Sequence, residues 1–225
     1  METSMYDTLL QLPLFQGLCK DDFTTIIEKV KFHFQDFKQG ESIVKQGTSC
    51  NQLIFLLNGK ITLKVVDSLN GYTFHEIIPA PHVIEPYSLF GMSTSYTGTY
   101  LAETDVKVLT IDKSFLYDEL NHYEIFRLNY LNILSNRIQI AHQKLWSTHL
   151  QTLEEKFYRF LSDRSLRPQA EITLQITMED LARLIHETRI NVSRMLNNLQ
   201  AQGLIQLKRK EMYIPALDKL AKSLI

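Results

Sequence analysis

The sequence predicts an α+β protein in which a β-rich region is followed by a long helix and by a small helical unit that ends in a β-hairpin. Short apolar runs separated by turn residues fill residues 32–111, and residues 112–150 contain neither Gly nor Pro. Helical spacing dominates again after residue 150. The chain has 225 residues, more than one domain usually holds, so we expect segments at 1–111, 112–150 and 151–225.

The N-terminal segment is expected to begin with one or two short helices within residues 6–31, before the β-rich texture starts. Strand-like runs then recur about every 8–12 residues, which is typical of an antiparallel sandwich or barrel. The Asn58-Gly59 pair between two such runs predicts a tight hairpin, because a type I′ turn needs two residues at positive φ. The predicted strands are FHFQDF, ESIVKQ, QLIFLL, KITLKVV, YTFHEII, TYLAET and VKVLTI.

Residues 112–150 predict a long helix with Asp112 as its N-cap. Apolar side chains recur in it at alternating spacings of three and four, which is the heptad seam of paired helices. A long helix packed on its own domain is the alternative, because so few turns do not establish a coiled coil. The seam residues are Leu131, Leu134, Ile138, Ala141 and Leu145.

The C-terminal segment predicts an amphipathic helix at 151–167, a short strand, and then two helices within 177–200. Thr177 and Thr188 stand where the N-caps of these two helices are expected. The second helix carries polar side chains near its N-terminal end, as a helix that reads the DNA major groove requires. A helical hairpin with solvated arginines is the alternative. The polar side chains are Arg189, Asn191, Ser193 and Arg194.

The charge distribution favours nucleic-acid binding by this C-terminal segment. Residues 150–225 hold 12 Lys and Arg against 9 Asp and Glu, whereas the preceding residues hold 12 against 16. A run of three cations, Lys208-Arg209-Lys210, stands in the middle of a predicted hairpin wing. We expect no enzyme, because the chain lacks a Gly-rich phosphate loop and an HExxH motif.

Cysteine usage and hydropathy limit the remaining classes. Cys19 and Cys50 are isolated, so they predict neither a disulfide framework nor a zinc site, and they suit a reducing cytoplasm. Two cysteines also cannot supply an iron–sulfur cluster with four thiolates. No apolar run approaches the roughly 20 residues of a membrane helix, and no secretory signal is recognisable, so no membrane partner is expected.

Over nearly its full length the chain resembles the cyclic-AMP receptor protein / fumarate–nitrate reductase regulator (Crp/Fnr) family. The resemblance lies in the order of the β-rich region, the long helix and the helical unit with its hairpin. It lies also in two segments, RIQIAHQKL of the long helix and ITMEDLARLIHETRINVSRMLNNLQAQGLI of the helix pair. It implies a cyclic-nucleotide-binding-like β-roll that senses an effector, a central dimerisation helix and a winged helix-turn-helix. It also implies a homodimer on a near-palindromic site of double-stranded DNA, with RNA polymerase as a further partner.

The resemblance assigns roles to single residues of the predicted helix-turn-helix. Arg189 and Arg194 fall on DNA-contacting positions, and Ser193 with Arg194 matches the Ser-Arg pair of the fumarate–nitrate reductase branch. Thr177 falls on a phosphate-contacting position, and Thr188 is also counted among the DNA-binding residues. Ile190 replaces a base-reading glutamate; it can touch a thymine methyl group but cannot accept a hydrogen bond from cytosine, so we expect a different half-site.

The effector motifs of the family are only partly kept. His82-Val83-Ile84-Glu85 stands for Phe-x-Gly-Glu and keeps the glutamate, while Tyr96-Thr97 replaces the Arg-Ser pair that holds the phosphate. A buried phosphate without its cation is costly. The positions that touch adenine are Ala141 and His142. We therefore expect an effector other than cyclic AMP in a pocket of Glu85, Tyr96, Thr97, Ala141 and His142.

The identity of the effector stays open among three alternatives. The resemblance allows haem-based sensing of nitric oxide or another diatomic gas, with His142, or His82 and Met92, as candidate iron ligands. The second alternative is an organic or anionic metabolite in the β-roll. The third is a degenerate pocket without an effector.

Overall fold

The computed structural model describes residues 9–146 and 152–223, except for the side chains of residues 144–146. The helices are α1 (Lys20–Lys29), α2 (Lys113–Asp118), α3 (Glu124–Trp146), α4 (Leu153–Arg164), α5 (Met178–Leu184), α6 (Arg189–Ala201) and α7 (Leu217–Lys222). The strands are β1 (His33–Phe37), β2 (Ser42–Val44), β3 (Gln52–Asn58), β4 (Lys60–Asp67), β5 (Tyr72–Pro79), β6 (His82–Ile84), β7 (Thr99–Ala102), β8 (Val106–Asp112), β9 (Glu171–Gln175), β10 (Gln206–Lys208) and β11 (Glu211–Ile214).

The chain forms two compact units, and the first contains residues 1–61 and 78–140. Its main sheet has the antiparallel order β1-β8-β3-β6, and β2 pairs with β7 in a second layer. The predicted antiparallel β-roll is therefore confirmed. Strand β6 was not predicted, because three residues are too few to show an alternating pattern.

Aromatic side chains of the segment before β1 pack against the main sheet. Phe15 is fully buried, and its ring centroid lies 5.5 Å from that of Phe55 on β3. The centroids of Phe23 on α1 and Phe126 on α3 lie 5.7 and 5.4 Å from that of Phe15. Such contacts add to the free energy gained by burying the rings. The helical residues before β1 thus belong to the core of the first unit.

The tight hairpin predicted at Asn58-Gly59 is wrong, because β3 and β4 belong to different sheets. Of the two residues, only Gly59 has a positive φ, of 87°, and a type I′ turn needs two. The glycine serves a close approach instead: a Cβ atom on it would lie 2.6 Å from the carbonyl oxygen of Asp105. The actual hairpin joins β4 to β5, where Asp67 accepts hydrogen bonds from the backbone and side chain of Asn70.

The long helix begins later than the sequence predicts. Asp112 is the N-cap residue of the short helix α2, but its carboxylate makes no capping bond and accepts from Gln52 Nε2 at 2.7 Å. A 3-10 turn at Leu120–His122 then separates α2 from α3. Leu120 is fully buried in that turn. The absence of Gly and Pro therefore did not guarantee one continuous helix, because a buried side chain can stabilise a turn.

Helix α3 is 23 residues long and carries the predicted seam. Leu131 and Ile138 are 51% and 68% exposed in the single chain. Leu134 is half-buried and Ala141 is exposed, while the side chain of Leu145 lies outside the described residues. Within the described ranges, neither this helix nor any other is both long and apolar enough to cross a membrane.

The second compact unit contains residues 141–225 together with residues 62–77 of the β4–β5 hairpin. Strand β9 pairs with β11 on one side and with β5 on the other, and β10 pairs with β11. Tyr72 and Phe74 of the hairpin lie in the same hydrophobic core as Phe157 and Leu161 of α4. The predicted segment boundaries stay a prediction, and the structure adds a distant strand to the C-terminal unit.

Candidate nucleic-acid interface

Thr177 is the N-cap residue of helix α5, as the sequence predicts. Thr177 Oγ1 accepts a hydrogen bond from the backbone N–H of Asp180 at 3.1 Å and donates to Asp180 Oδ2 at 2.6 Å. Arg183 adds an ion pair with Asp180 at 3.0 Å. The bond from Thr177, followed by the bond from Arg183, lowers the pKa of Asp180. The first helix of the pair therefore starts at a fixed residue.

The turn between α5 and α6 is held at both ends. His186 adopts a left-handed conformation with a φ of 55°, which is uncommon for a residue other than glycine. The backbone N–H of Glu187 donates to the carbonyl oxygen of Ala182 at 2.9 Å. The carboxylate of Glu187 pairs with Lys156 Nζ of α4 at 2.6 Å, and this contact lowers the pKa of Glu187. The turn is thus connected by an ion pair to helix α4.

Helix α6 has a buried face and an exposed polar face. Thr188 Oγ1 accepts from the backbone N–H of Asn191 at 3.3 Å and caps the helix. Its buried side chains are Val192, Met195, Leu196 and Leu199. Its exposed side chains near the N-terminal end are Arg189, Ile190, Asn191 and Arg194, and Ser193 is half-buried. The predicted side chains therefore emerge together from one end of this helix.

A basic hairpin follows the helix pair. At its tip, where β10 turns into β11, the side chains of Lys208, Arg209 and Lys210 are exposed. Lys210 has a φ of 59°, so the turn uses a left-handed residue. The residues that line a cleft of about 360 Å³ include Thr177, Arg189, Lys208 and Lys210. These three adjacent cations, which the sequence shows as a continuous run, are a further candidate part of the interface.

In the first unit, Glu85 lies at the centre of a buried hydrogen-bond cluster. Its side chain is 2% exposed. Oε1 accepts from Thr97 Oγ1 at 2.8 Å and from the backbone N–H of Gly98 at 3.1 Å. Oε2 accepts from Ser88 Oγ at 2.7 Å and from the backbone N–H of Thr97 at 2.8 Å. The structure thus brings together two of the predicted pocket residues.

Tyrosines surround this cluster. Burial, followed by the charge of Glu85, raises the pKa of both Tyr87 and Tyr100. The guanidinium of Arg137 lies 5.2 Å from the ring centroid of Tyr87. Burial is the largest cause that raises the pKa of Tyr96, whose hydroxyl is 3.5 Å from the carbonyl oxygen of Gln52.

An open cavity of about 570 Å³ lies between the two layers of the β-roll, and Tyr96 lines it. Other lining residues include Gln35, Ile43, Gln52, Ile54 and Thr110. Ala141 and His142 are exposed on α3 and belong to the second unit, so their place in a shared pocket stays a prediction.

The candidate haem ligands differ in their exposure. His82 is half-buried on β6, Met92 is exposed, and His142 is exposed. In the described part of the chain, no three His, Cys, Asp or Glu side chains are grouped as a metal site requires. Cys19 is exposed and Cys50 is buried.

Comparison with known proteins agrees with this architecture. A family model described as a Crp-like helix-turn-helix domain matches residues 155–223. A second, described as a cyclic nucleotide-binding domain, matches residues 34–123. No curated protein matches the chain.

Two solved structures illustrate the similarity of fold. The catabolite activator protein of Thermus thermophilus is 23% identical, with a TM-score of 0.53 over 95% of this chain and 100% of that one. The N-terminal domain of a transcriptional regulator from Streptomyces coelicolor A3(2) is 21% identical, with a TM-score of 0.50 over 64% and 100% of the two chains.

Proposed function

The chain belongs to the Crp/Fnr family of DNA-binding transcription regulators, and from this premise we propose that it acts as a homodimer whose binding to a near-palindromic DNA site is controlled by a small effector. The observation that carries the proposal is the exposed end of α6. There, Arg189, Asn191 and Arg194 project from a helix whose opposite face is buried. A recognition helix presents its N-terminal residues to base edges in this way.

The side chains of α6 suggest how the bases are read. Arg189 and Arg194 can each donate two parallel hydrogen bonds to guanine, and Asn191 can pair with adenine. Ile190 is 64% exposed, and an exposed aliphatic group suits the methyl group of thymine. We propose that these residues, with Ser193, define the half-site.

Contacts to the DNA backbone would come from the flanks of α6. Thr177 stands at the start of α5, where backbone N–H groups favour a phosphate. Lys208, Arg209 and Lys210 supply positive charge on the wing. Such contacts fix the position of the protein on the duplex and make its affinity depend on salt.

Pairing of two chains would use the seam of α3. Leu131 and Ile138 are largely exposed in one chain, and burying them against a second copy removes apolar surface from water. We propose that Leu134, Ala141 and Leu145 complete the seam. Two recognition helices held in this way match the two halves of a palindrome. We place this dimer in the cytoplasm, where it meets DNA and RNA polymerase.

The effector would act on the first unit. The cavity of about 570 Å³ in the β-roll has the size of a site for a small molecule. We propose that binding there shifts the population of the dimer toward the arrangement that fits DNA. The replacement of the phosphate-holding Arg-Ser pair by Tyr96-Thr97 argues for an effector other than cyclic AMP.

Selection from a random pool of DNA duplexes tests the proposal. The wild type should enrich a near-palindromic site, and Arg189→Ala and Arg194→Ala should each lose base preference at one position of each half-site. Lys222→Ala removes an exposed cation on α7 and serves as the matched control, with unchanged selection. If both arginine variants select the wild-type site with the same affinity, the proposal that α6 is the recognition helix is wrong.

A further inference from the structure

The four hydrogen-bond donors around Glu85 form a site that suits an anion, which we call the cradle. Two backbone N–H groups, of Thr97 and Gly98, and two hydroxyl groups, of Ser88 and Thr97, all point at one carboxylate. Adjacent N–H groups that converge in this way form a concavity that favours a negative charge. The negative charge inside it belongs to the protein itself.

The carboxylate of Glu85 has no acceptor capacity left. An ionised carboxylate offers about four acceptor sites, and each oxygen of Glu85 already accepts two hydrogen bonds. The side chain is also almost fully removed from solvent. A hydroxyl group of a ligand would have to break one of these bonds before Glu85 could accept from it.

The backbone conformation of Glu85 is energetically unfavourable, so the surrounding contacts must stabilise it. Glu85 has φ 37° and ψ 55°, a left-handed conformation that a residue other than glycine adopts only where its surroundings enforce it. The residue begins the 3-10 turn at Pro86–Ser88, and the hydroxyl of that Ser88 is one of the four donors. The carboxylate thus joins this turn to residues 97 and 98.

The charge of Glu85 disfavours a second anion at the same donors. The hydroxyl groups of Tyr87 and Tyr100 lie close enough to Glu85 for its charge to contribute to their raised pKa values, whereas the charge of Arg137 acts on both tyrosines in the opposite direction. A phosphate or carboxylate entering the cradle would meet the charge of Glu85 at the same donors. Like charges at such a distance repel strongly where water is excluded.

We propose that Glu85 fills this cradle in place of an external anion, so that the phosphate of a cyclic nucleotide cannot occupy it. This inference does not rest on the proposed function. The occupied cradle is a property of the first unit and is tested without DNA. Glu85 is thereby assigned as a specificity-determining residue that excludes cyclic nucleotides and other anions.

Chemical rescue tests the occupied cradle. In Glu85→Ala the four donors lose their acceptor, so we expect the midpoint of thermal unfolding to fall by roughly 5–10 °C. Sodium formate should then raise the midpoint of Glu85→Ala in a saturable way. Half of the effect should fall in the millimolar range, because a ligand of so few atoms binds weakly. The wild type at equal ionic strength should show no such saturable rise.

Two variants make the rescue specific. Leu116→Ala removes a buried side chain of α2 and destabilises the same unit without opening the cradle, so formate should not rescue it. In Glu85→Ala combined with Thr97→Val, one donor is missing and the rescue should weaken several-fold. Equal rescue of Leu116→Ala and Glu85→Ala would overturn the proposal, because it would be a general effect of the salt.

A third variant and a ligand titration decide the matter if Glu85→Ala does not fold. In Glu85→Gln one acceptor oxygen becomes an N–H donor facing other donors, so its unfolding midpoint should fall clearly below that of the wild type. Calorimetric titration of the wild type with 3′,5′-cyclic AMP should show no binding at millimolar concentration. Wild-type stability in Glu85→Gln, or binding of cyclic AMP by the wild type, would refute the occupied cradle.

Discussion

Arg164 Nε donates a hydrogen bond to the hydroxyl of Tyr72 at 2.9 Å, across 92 residues of sequence. The same guanidinium lies 3.9 Å from the ring centroid of Phe160 and 5.1 Å from that of Tyr72, and it donates to the carbonyl oxygen of Phe160. Hydrogen bonds and cation–π contacts therefore hold the β4–β5 hairpin to α4. The hairpin is therefore part of the packed structure of the C-terminal unit.

Removing this contact should destabilise the C-terminal unit. We expect Arg164→Met to lower the free energy of unfolding by about 1–3 kcal/mol, because both a charge-assisted hydrogen bond and the cation–π contacts are lost. Tyr72→Phe should cost less, since only the hydroxyl disappears. Urea unfolding of both single variants and of the double variant measures the coupling. Costs that simply add would show that the two side chains do not interact.

The N-cap of the recognition helix should matter for both stability and DNA affinity. Thr188→Ala should lower the free energy of unfolding by about 0.5–2 kcal/mol, because the N–H of Asn191 loses its acceptor. Thr188→Ser keeps a hydroxyl and is the matched control. Thermal unfolding and DNA titration report the two effects, and equal behaviour of the Ala and Ser variants would contradict the capping role.

The ion pair between Lys156 and Glu187 should make stability depend on acidic pH. The pair lowers the pKa of Glu187 below its usual 4.5, so its contribution is complete above that pH. The contribution is lost as the pH falls through the lowered pKa. We expect Glu187→Gln to lack this part of the pH dependence in unfolding measured between about pH 3 and pH 6. Glu179→Gln, on exposed α5 surface, should keep it.

Base preference should change at Ile190. In Ile190→Glu the new carboxylate can accept from the amino group of cytosine, so we expect the selected half-site to change at one position, with a discrimination of about 1–3 kcal/mol. Ile190→Val keeps an aliphatic group and should keep the original preference. Affinities for duplexes that differ at that single base pair provide the measurement. Unchanged preference in Ile190→Glu would mean that this side chain does not face a base.

Gly59 and Gly40 allow backbone strain to be separated from a steric clash. Both have a φ of 87°, but a Cβ atom would meet Asp105 only at Gly59, whereas Gly40 has open space around it. Gly40→Ala should therefore cost about 1–2 kcal/mol for the left-handed conformation alone. Gly59→Ala should cost about 1–3 kcal/mol more because the chain must move. Equal unfolding free energies for the two variants would show that the space between Gly59 and Asp105 has room for a side chain.

Local sequence signals predicted the parts of the fold that depend on nearby residues. Thr177 and Thr188 marked the starts of α5 and α6, because a capping bond spans only three residues. The exposed arginines of α6 followed from helical periodicity. The strands of the β-roll followed from their alternating pattern and spacing.

Contacts between distant residues were beyond the reach of the same reasoning. The grouping of Glu85 with Thr97 came from the family resemblance and not from a local pattern, and nothing in the sequence indicated that β5 would pair with β9. Asn58-Gly59 has the composition of a hairpin turn, yet its glycine serves a close approach to Asp105. A positive φ tells that the backbone turns but does not tell which strands the turn connects.

The pairing of β5 with β9 also sets an order for folding on the ribosome. Thr73 and Gln175 are partners in that ladder, and at about 5–20 residues per second Thr73 is made roughly 5–20 s before its partner. During that interval the edge of β5 lacks its neighbour, and an unpaired edge is a template for association with other chains. The C-terminal unit can complete its sheet only after β9 and β11 have been made, so slow translation prolongs the exposure of this edge.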